Sequence, residues 1–350
     1  MKSKDMNIIV RADASAQIGT GHVMRCLALS QTWRVLGGQA IFMLANKSPS
    51  LEARLRFEGM EVVYLSGEAG SDEDAQQTLD LCQQFSTQWI ILDGYHFGAA
   101  YQKAIKNFDV SLLFFDDNGH ADHYYADLIL NQNISAKIDL YQSREPYTQL
   151  LLGTQYVLLR KEFLSWKNWQ RVINPIASKI LVTLGGSDPD NITLKVIQAL
   201  QQVNSGNLEV IVVVGGSNPH YEKLQTEVAK SRTRITLQRN VSNMPELMAW
   251  ADIAIAAGGS TNWELAFMGL PSLVITVADN QKESIAELDR QGVITNLGWH
   301  QDLSIEWISF ALQKLMCDRL NQKKMSQQGQ QIVDGEGVMR VVSKIADMIA

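Results

Sequence analysis

The run Arg11-Ala12-Asp13-Ala14-Ser15-Ala16-Gln17-Ile18-Gly19-Thr20-Gly21-His22 constrains this chain more than any other stretch. Ile8-Ile9-Val10 before it reads as a buried strand. Val23 to Leu36 after it reads as a buried helix with Arg25, Gln31 and Arg34 as polar breaks. A strand that passes through a glycine-rich loop into a helix opens a parallel α/β sheet, and ligands bind such sheets beyond the carboxyl ends of the strands. Free N–H groups at the helix start favour an anion. His22 adds a side chain that can move a proton near neutral pH. The same residues also read as ordinary loop glycines and a packed or capping histidine. The loop is not a dinucleotide fingerprint. Met24 holds the third glycine position, the loop is too long, and no acid ends the second strand near Phe42 to Asn46. NAD is therefore excluded.

A chain of 350 residues has room for two domains. Strand-length and helix-length runs alternate from Gln39 to Leu152, and again from Ile180 to Gln291. The expected organisation is a Rossmann-like domain at 1–160, a link at 161–178 rich in aromatic and basic residues, and a second Rossmann-like domain at 179–350. The link reads as a hinge, a partner surface or interdomain packing, and the closing helix, Gly337 to Ile349, packs on a domain that the pattern does not identify. A net charge of −6 gives no basic field for nucleic acid or anionic membrane. Three well-separated cysteines without a CxxC point to a reducing cytoplasm, and neither a signal peptide nor a membrane-length apolar run is expected.

In the second half three strands run into Gly-Gly-Ser, at Gly185-Gly186-Ser187, Gly215-Gly216-Ser217 and Gly258-Gly259-Ser260. Small residues there let a ligand approach the backbone, or simply make tight turns. The third copy continues into Thr261-Asn262-Trp263-Glu264. A helix starting near Ser260 can hold a diphosphate by its N–H groups and hydroxyls, with Glu264 one turn along to accept bonds from sugar hydroxyls. Thr261 to Glu264 also has capping-box spacing. Asn280 and Gln281 are neutral amides at another helix start, suited to sugar hydroxyl or acetamido groups or to capping.

These motifs, together with Asp93-Gly94-Tyr95, Asp116-Asp117, Asn131-Gln132-Asn133, Leu151 to Arg160, Leu184 to Pro189 and Asp334 to Gly337, resemble a family. It is that of the UDP-sugar hydrolases of pseudaminic acid biosynthesis, and the resemblance runs over nearly the whole chain. Gly94 departs from the histidine or serine more usual there. The resemblance implies a GT-B fold, two Rossmann-type parallel-sheet domains facing an interdomain cleft. It implies hydrolysis of UDP-2,4-diacetamido-2,4,6-trideoxy-β-L-altropyranose to UDP and free sugar, without a required metal or other cofactor. His22 would be the general base for water and Tyr95 a neighbour of the reaction centre. Gly259, Ser260, Thr261 and Glu264 would hold UDP, and Asn280 and Gln281 would face the sugar. Asp13 would stabilise or orient the sugar. Arg11, Gly19, Gly21 and Gly186 complete the expected substrate contacts. An imidazole near its reference pKa of about 6.5 suits the task of base, and direct attack of water would invert the anomeric centre.

Other chemistries fit less well. Asp116, Asp117, His120, Asp122 and His123 offer metal-ligand types at irregular spacing, in a segment that also reads as a loop. Asp188-Pro189-Asp190 imitates a metal-binding D-x-D but reads as a turn capping the helix at Ile192. Gly258 to Asn262 fails the G-x-S-x-G pattern of a serine hydrolase. Two other classes stay open: a glycosyltransferase that uses a UDP-sugar and a separate acceptor, and a UDP-sugar-binding protein without turnover.

Overall fold

The computed structural model describes residues 7–14, 19–204, 206–239 and 241–349. The expectations for Met1 to Met6 and for the loop residues Ser15 to Ile18 lie outside them. The chain divides into two compact units, Met1–Lys161 with Glu336–Ala350, and Glu162–Gly335.

The first unit contains β1 (Asn7–Ala12), α1 (Gly21–Val35), β2 (Gln39–Leu44), α2 (Pro49–Phe57), β3 (Glu61–Tyr64) and α3 (Asp72–Gln84). It continues with β4 (Trp89–Asp93), α4 (Ala99–Lys106), β5 (Ser111–Phe115), β6 (Leu128–Asn131) and β7 (Gln149–Leu152), and a short α5 (Lys161–Leu164) straddles the boundary. Its sheet runs β3-β2-β1-β4-β5-β6-β7, and every pairing is parallel. Successive strand side chains point to opposite faces. Ile8 and Val10 therefore join one core with Val23, Leu27 and Trp33 of α1, while Ile9 joins another with Leu79 of α3 and Ile105 of α4. Burial on both faces explains why these strands are apolar runs rather than alternating ones.

The second unit contains β8 (Lys179–Thr183), α6 (Ile192–Gln201), β9 (Glu209–Val214), α7 (Tyr221–Ala229), β10 (Arg234–Arg239), α8 (Met244–Trp250) and β11 (Ile253–Ala257). It ends with α9 (Thr261–Phe267), β12 (Ser272–Thr276), α10 (Lys282–Arg290), β13 (Thr295–Trp299), α11 (Ile305–Cys317) and α12 (Arg319–Ile332). Its parallel sheet has the order β10-β9-β8-β11-β12-β13. In both sheets the order reverses beside the first strand, at β1/β4 and β8/β11. The reversal opens a crevice at the carboxyl ends.

Two domain boundaries differ from those expected. The final helix, α13 (Gly337–Ile349), belongs to the first unit rather than to a 179–350 domain. Val338, Val341, Val342 and Ile345 fall on one helical face and are buried with Ile8, Val10 and Val23. Most of the expected link belongs to the second unit. Arg171 donates to the carbonyls of Met248, Ala251 and Met268, and Ser178 and Lys179 donate backbone N–H groups to Asp252. Among the described residues no helix is long and apolar enough to cross a membrane.

Candidate active site

Histidines, carboxylates and one arginine collect at the carboxyl edge of the first sheet. α1 begins at Gly21, after Gly19 has turned the chain at φ +72°, and its N-cap Thr20 makes no side-chain capping bond. His22 thus sits in the first turn of α1, with its side chain 12% exposed. Its Nδ1 is enclosed without a hydrogen-bond partner among the described residues, 4.0 Å from Oδ1 of Asp93 at the end of β4. Its ring meets that of Tyr95 edge-on at 5.2 Å, and Tyr95 meets His120 in the same way at 5.6 Å. Tyr95 is 39% exposed and donates its hydroxyl to Asp117 at 3.3 Å.

Arg25, one turn after His22, ties this group together. It donates to both Asp93 oxygens at 2.6 and 2.7 Å and to both Asp117 oxygens at 2.8 and 2.9 Å. Burial works against charge on Asp93, but the nearby Arg25 and His22 outweigh it and hold the carboxyl below its ordinary range. Asn133 donates to Asp117 as well, at 2.8 Å. From sequence alone Asp93, Arg25 and Asp117 have no expected catalytic or substrate-binding role, and Asp117 stands there only in a motif and among the metal-ligand types. The signal for Asp93 is present in the sequence, as an acid ending the apolar run Trp89-Ile90-Ile91-Leu92.

Arg11 and Asp13 take a different position from the one expected. Arg11 is fully buried and donates to Asp74 through Nε and Nη2, so it holds the interior together instead of facing a ligand. Asp13 is only 3% exposed. Its partners are Ala45 N–H, Arg11 and His96, and Asp93 is the carboxylate that stands beside His22. Burial works against its charge, but His96, Arg11 and Ala45 together hold its carboxyl below the ordinary range.

The segment 116–123 is a loop organised by one carboxylate. Asp116 accepts the N–H groups of Asn118, Gly119 and His120 and the hydroxyl of Tyr124. Among the described residues no group of three or more His, Cys, Asp or Glu is placed to hold a metal ion. In the second unit Asp188 accepts the first N–H groups of α6, from Ile192 and Thr193, as a cap does. That carboxylate already occupies the positive end of α6.

The three Gly-Gly-Ser turns follow β8, β9 and β11, which are neighbours in the second sheet. A Cβ on Gly215 would stand 2.1 Å from the Gly186 oxygen, so two of the turns pack on each other. Gly258 is closed in by Ile285 and Gln281 of the neighbouring elements, whereas a Cβ on Gly259 would meet nothing within 4 Å. Ser260, rather than Thr261, is the N-cap position of α9, and its side chain makes no capping bond. Asn262 donates to the carbonyls of Ala257 and Gly259 at 2.9 Å and so fixes the turn from inside. Gly259 and Ser260 are exposed, and Thr261 and Glu264 are half-buried. Gln281 spends its side-chain oxygen on Val277 N–H, while Asn280 is exposed.

Residues 180–337 match the glycosyltransferase family 28 C-terminal domain. Over the whole length the chain is similar to a solved S. aureus structure described as an MnaA-UDP co-structure, with TM-score 0.66, 12% identity, and coverage of 98% of this chain and 97% of that one. The fold is GT-B. Among relatives, the GT-B chain is 24% identical to the spore coat polysaccharide biosynthesis protein SpsG of Bacillus subtilis, over 98% of each. It is 25% identical to the UDP-2,4-diacetamido-2,4,6-trideoxy-beta-L-altropyranose hydrolase of Campylobacter jejuni, over 82% of this chain and 97% of that protein.

Proposed function

We propose that this chain hydrolyses a UDP-linked 2,4-diacetamido-2,4,6-trideoxyhexose at the anomeric C–O bond, releasing UDP and the free sugar. The observation that carries the reading is His22, held at the sheet's carboxyl edge between Asp93 and the Tyr95 ring. A relative 25% identical bears that hydrolase name, which supports the choice of sugar.

In this reading His22 takes the proton of the attacking water, and the Asp93 carboxylate, kept ionised by Arg25, stabilises the imidazolium that forms. Water adds to the anomeric carbon as its bond to the diphosphate oxygen breaks, so UDP leaves with the bonding pair. Tyr95 lies against the reacting centre. The open backbone at Gly259, with Ser260 and Thr261, holds the diphosphate, and Glu264 accepts bonds from sugar hydroxyls. Gly186 contributes to the same wall, and Asn280 and the amide nitrogen of Gln281 hold the sugar. Gly19 and Gly21 shape the His22 loop. The match to a glycosyltransferase domain favours a second reading, transfer of the sugar to an acceptor.

The test is an acceptor-free assay of UDP and free sugar with wild type and His22→Ala. Equal amounts of both products are expected from the wild type, with a kcat lower by about 10²-fold or more in the variant. Substrate binding without turnover until an acceptor is added would replace hydrolysis by transfer. NMR of fresh product should show inversion.

A further inference from the structure

His96 ends a chain of close polar contacts that runs into the interior of the first unit. Its Nε2 lies 3.2 Å from Oδ2 of Asp13, and Arg11 Nη1 lies 2.7 Å from the same oxygen. The other Asp13 oxygen accepts Ala45 N–H at 2.6 Å. Arg11 is fixed in turn by Asp74, whose Oδ2 also accepts Gly70 N–H at 2.7 Å and whose Oδ1 accepts the Tyr101 hydroxyl at 3.0 Å. Arg11, Asp13 and Asp74 are buried, and His96 alone in this chain reaches the surface, with its side chain 31% exposed.

Two glycines make room for it. A Cβ on Gly94 would stand 2.8 Å from His96 Cε1, and one on Gly70 would stand 2.8 Å from its carbonyl oxygen and 3.1 Å from Cδ2. Gly70 also has φ +80°, a left-handed conformation that suits glycine. The ring rests on Phe97 at 4.0 Å between centroids. A solvated surface histidine would need neither the space nor the carboxylate.

The contact selects one form of the neutral ring: with Nε2 facing the Asp13 carboxylate at 3.2 Å, the hydrogen sits on Nε2 and Nδ1 keeps the lone pair of an acceptor. Asp13 follows β1 and His96 follows β4, the strands that flank the reversal in sheet order. Tyr95, the preceding residue, touches the ring of His22. His96 therefore belongs to the same edge as His22, but its better-placed carboxylate equips it to accept a bond in a defined direction.

We propose that His96, oriented by Asp13, is a sugar-recognition residue whose Nδ1 accepts a hydrogen bond from an acetamido N–H or a hydroxyl of the substrate. The proposal rests on the hydrolase reading for its ligand. Asp13 is then a positioning residue that acts through His96.

His96→Lys is the discriminating variant, because an ammonium can still donate to Asp13 but carries no acceptor in place of Nδ1. The experiment compares wild type with His96→Lys for thermal stability, kcat, KM, and binding of UDP and of the UDP-linked diacetamido sugar by calorimetry. It also records the His96 imidazole nitrogen shifts by NMR in wild type and Asp13→Leu. The expected result is an unchanged melting temperature and UDP affinity in His96→Lys, a tenfold or larger loss for the sugar nucleotide, a KM effect larger than that on kcat, and an Nε2–H tautomer whose preference is lost in Asp13→Leu. An unchanged ratio of the two affinities in an active protein, or an Nδ1–H tautomer in the wild type, would overturn the proposal. A wild type that binds UDP but neither binds nor turns over this sugar nucleotide would overturn the hydrolase reading itself, and the recognition role would fall with it.

Discussion

Arg25 grips Asp93 with Nε and Nη2, at 2.6 and 2.7 Å, from the helix turn directly after His22. The same guanidinium reaches Asp117, so one cation serves the buried Asp93 and the half-buried Asp117. Removing one partner of such a buried pair leaves the other uncompensated, at a cost of about 3–5 kcal/mol. Arg25→Met is expected to lose stability in that range, read by urea denaturation. Arg25→Lys keeps one charge but cannot fork between both acids, and is expected to recover only part of the loss. Equal stability of Arg25→Met and wild type would show that the pairs contribute nothing net.

Acid should weaken the first unit more than the second. In the first unit the carboxyls of Asp13, Asp93 and Asp116 are held below their ordinary range: burial opposes this, and partners such as His96, Arg25 and His120 outweigh it. A depressed native pKa contributes stability above the unfolded value of about 4, and that contribution is lost as pH falls through the native values. In the second unit burial pushes Asp188 up, so its ionisation costs stability as pH rises above about 4 and acid relieves that cost. Hydrogen exchange, corrected for intrinsic rates, is expected to show β1, β4 and β5 losing protection as pH falls below about 4, before β8 and β11 do. Simultaneous loss in both sheets would contradict this.

The sheet architecture was legible because doubly covered parallel strands leave long apolar runs, as at Ile90 and Val212. β13 was not, since Thr295-Asn296-Leu297-Gly298-Trp299 is an edge strand with a register shift in its pairing and little apolar pattern. His22 and Tyr95 could be picked from their loops, but no spacing rule joins His22 to Asp93 or His96 to Asp13, which meet only because β1 and β4 are neighbours. Arg11 reads as a substrate contact for the same reason. A charged residue at a strand end resembles a ligand contact until its partner Asp74, on a helix 63 residues away, is seen.

The third Gly-Gly-Ser turn separates packing from binding in adjacent residues. Gly258→Ala would place a Cβ 2.1 Å from Ile285 Cδ1 and 2.8 Å from Gln281 Oε1, and the strain of such overpacking is typically about 1–3 kcal/mol. Gly259→Ala meets nothing and should leave stability within about 0.5 kcal/mol of wild type. If the diphosphate approaches this backbone, Gly259→Ala should weaken UDP binding tenfold or more by calorimetry while the melting temperature stays put. Unchanged UDP affinity would remove Gly259 from the nucleotide site.

Arg171 tests whether the residues after α5 are a link or part of the second unit. Its guanidinium is buried without a carboxylate in hydrogen-bond contact, and burial pushes its pKa down to about 10 although Asp252 opposes the shift. What holds it there is a set of carbonyls: Met248 and Ala251 at the end of α8, at 2.5 and 2.6 Å, and Met268 at the end of α9, at 3.1 Å. Helix carboxyl ends carry unsatisfied carbonyls and partial negative charge, so one cation there stabilises two helices at once. Arg171→Leu fills similar space but abandons all three acceptors, and the expected loss is roughly 2–4 kcal/mol. Because α9 follows the Gly258 turn, the variant should also raise hydrogen exchange in α8 and α9 more than in β1 or α1. A flexible connector would give neither effect, and wild-type stability in Arg171→Leu would return residues 165–175 to that role.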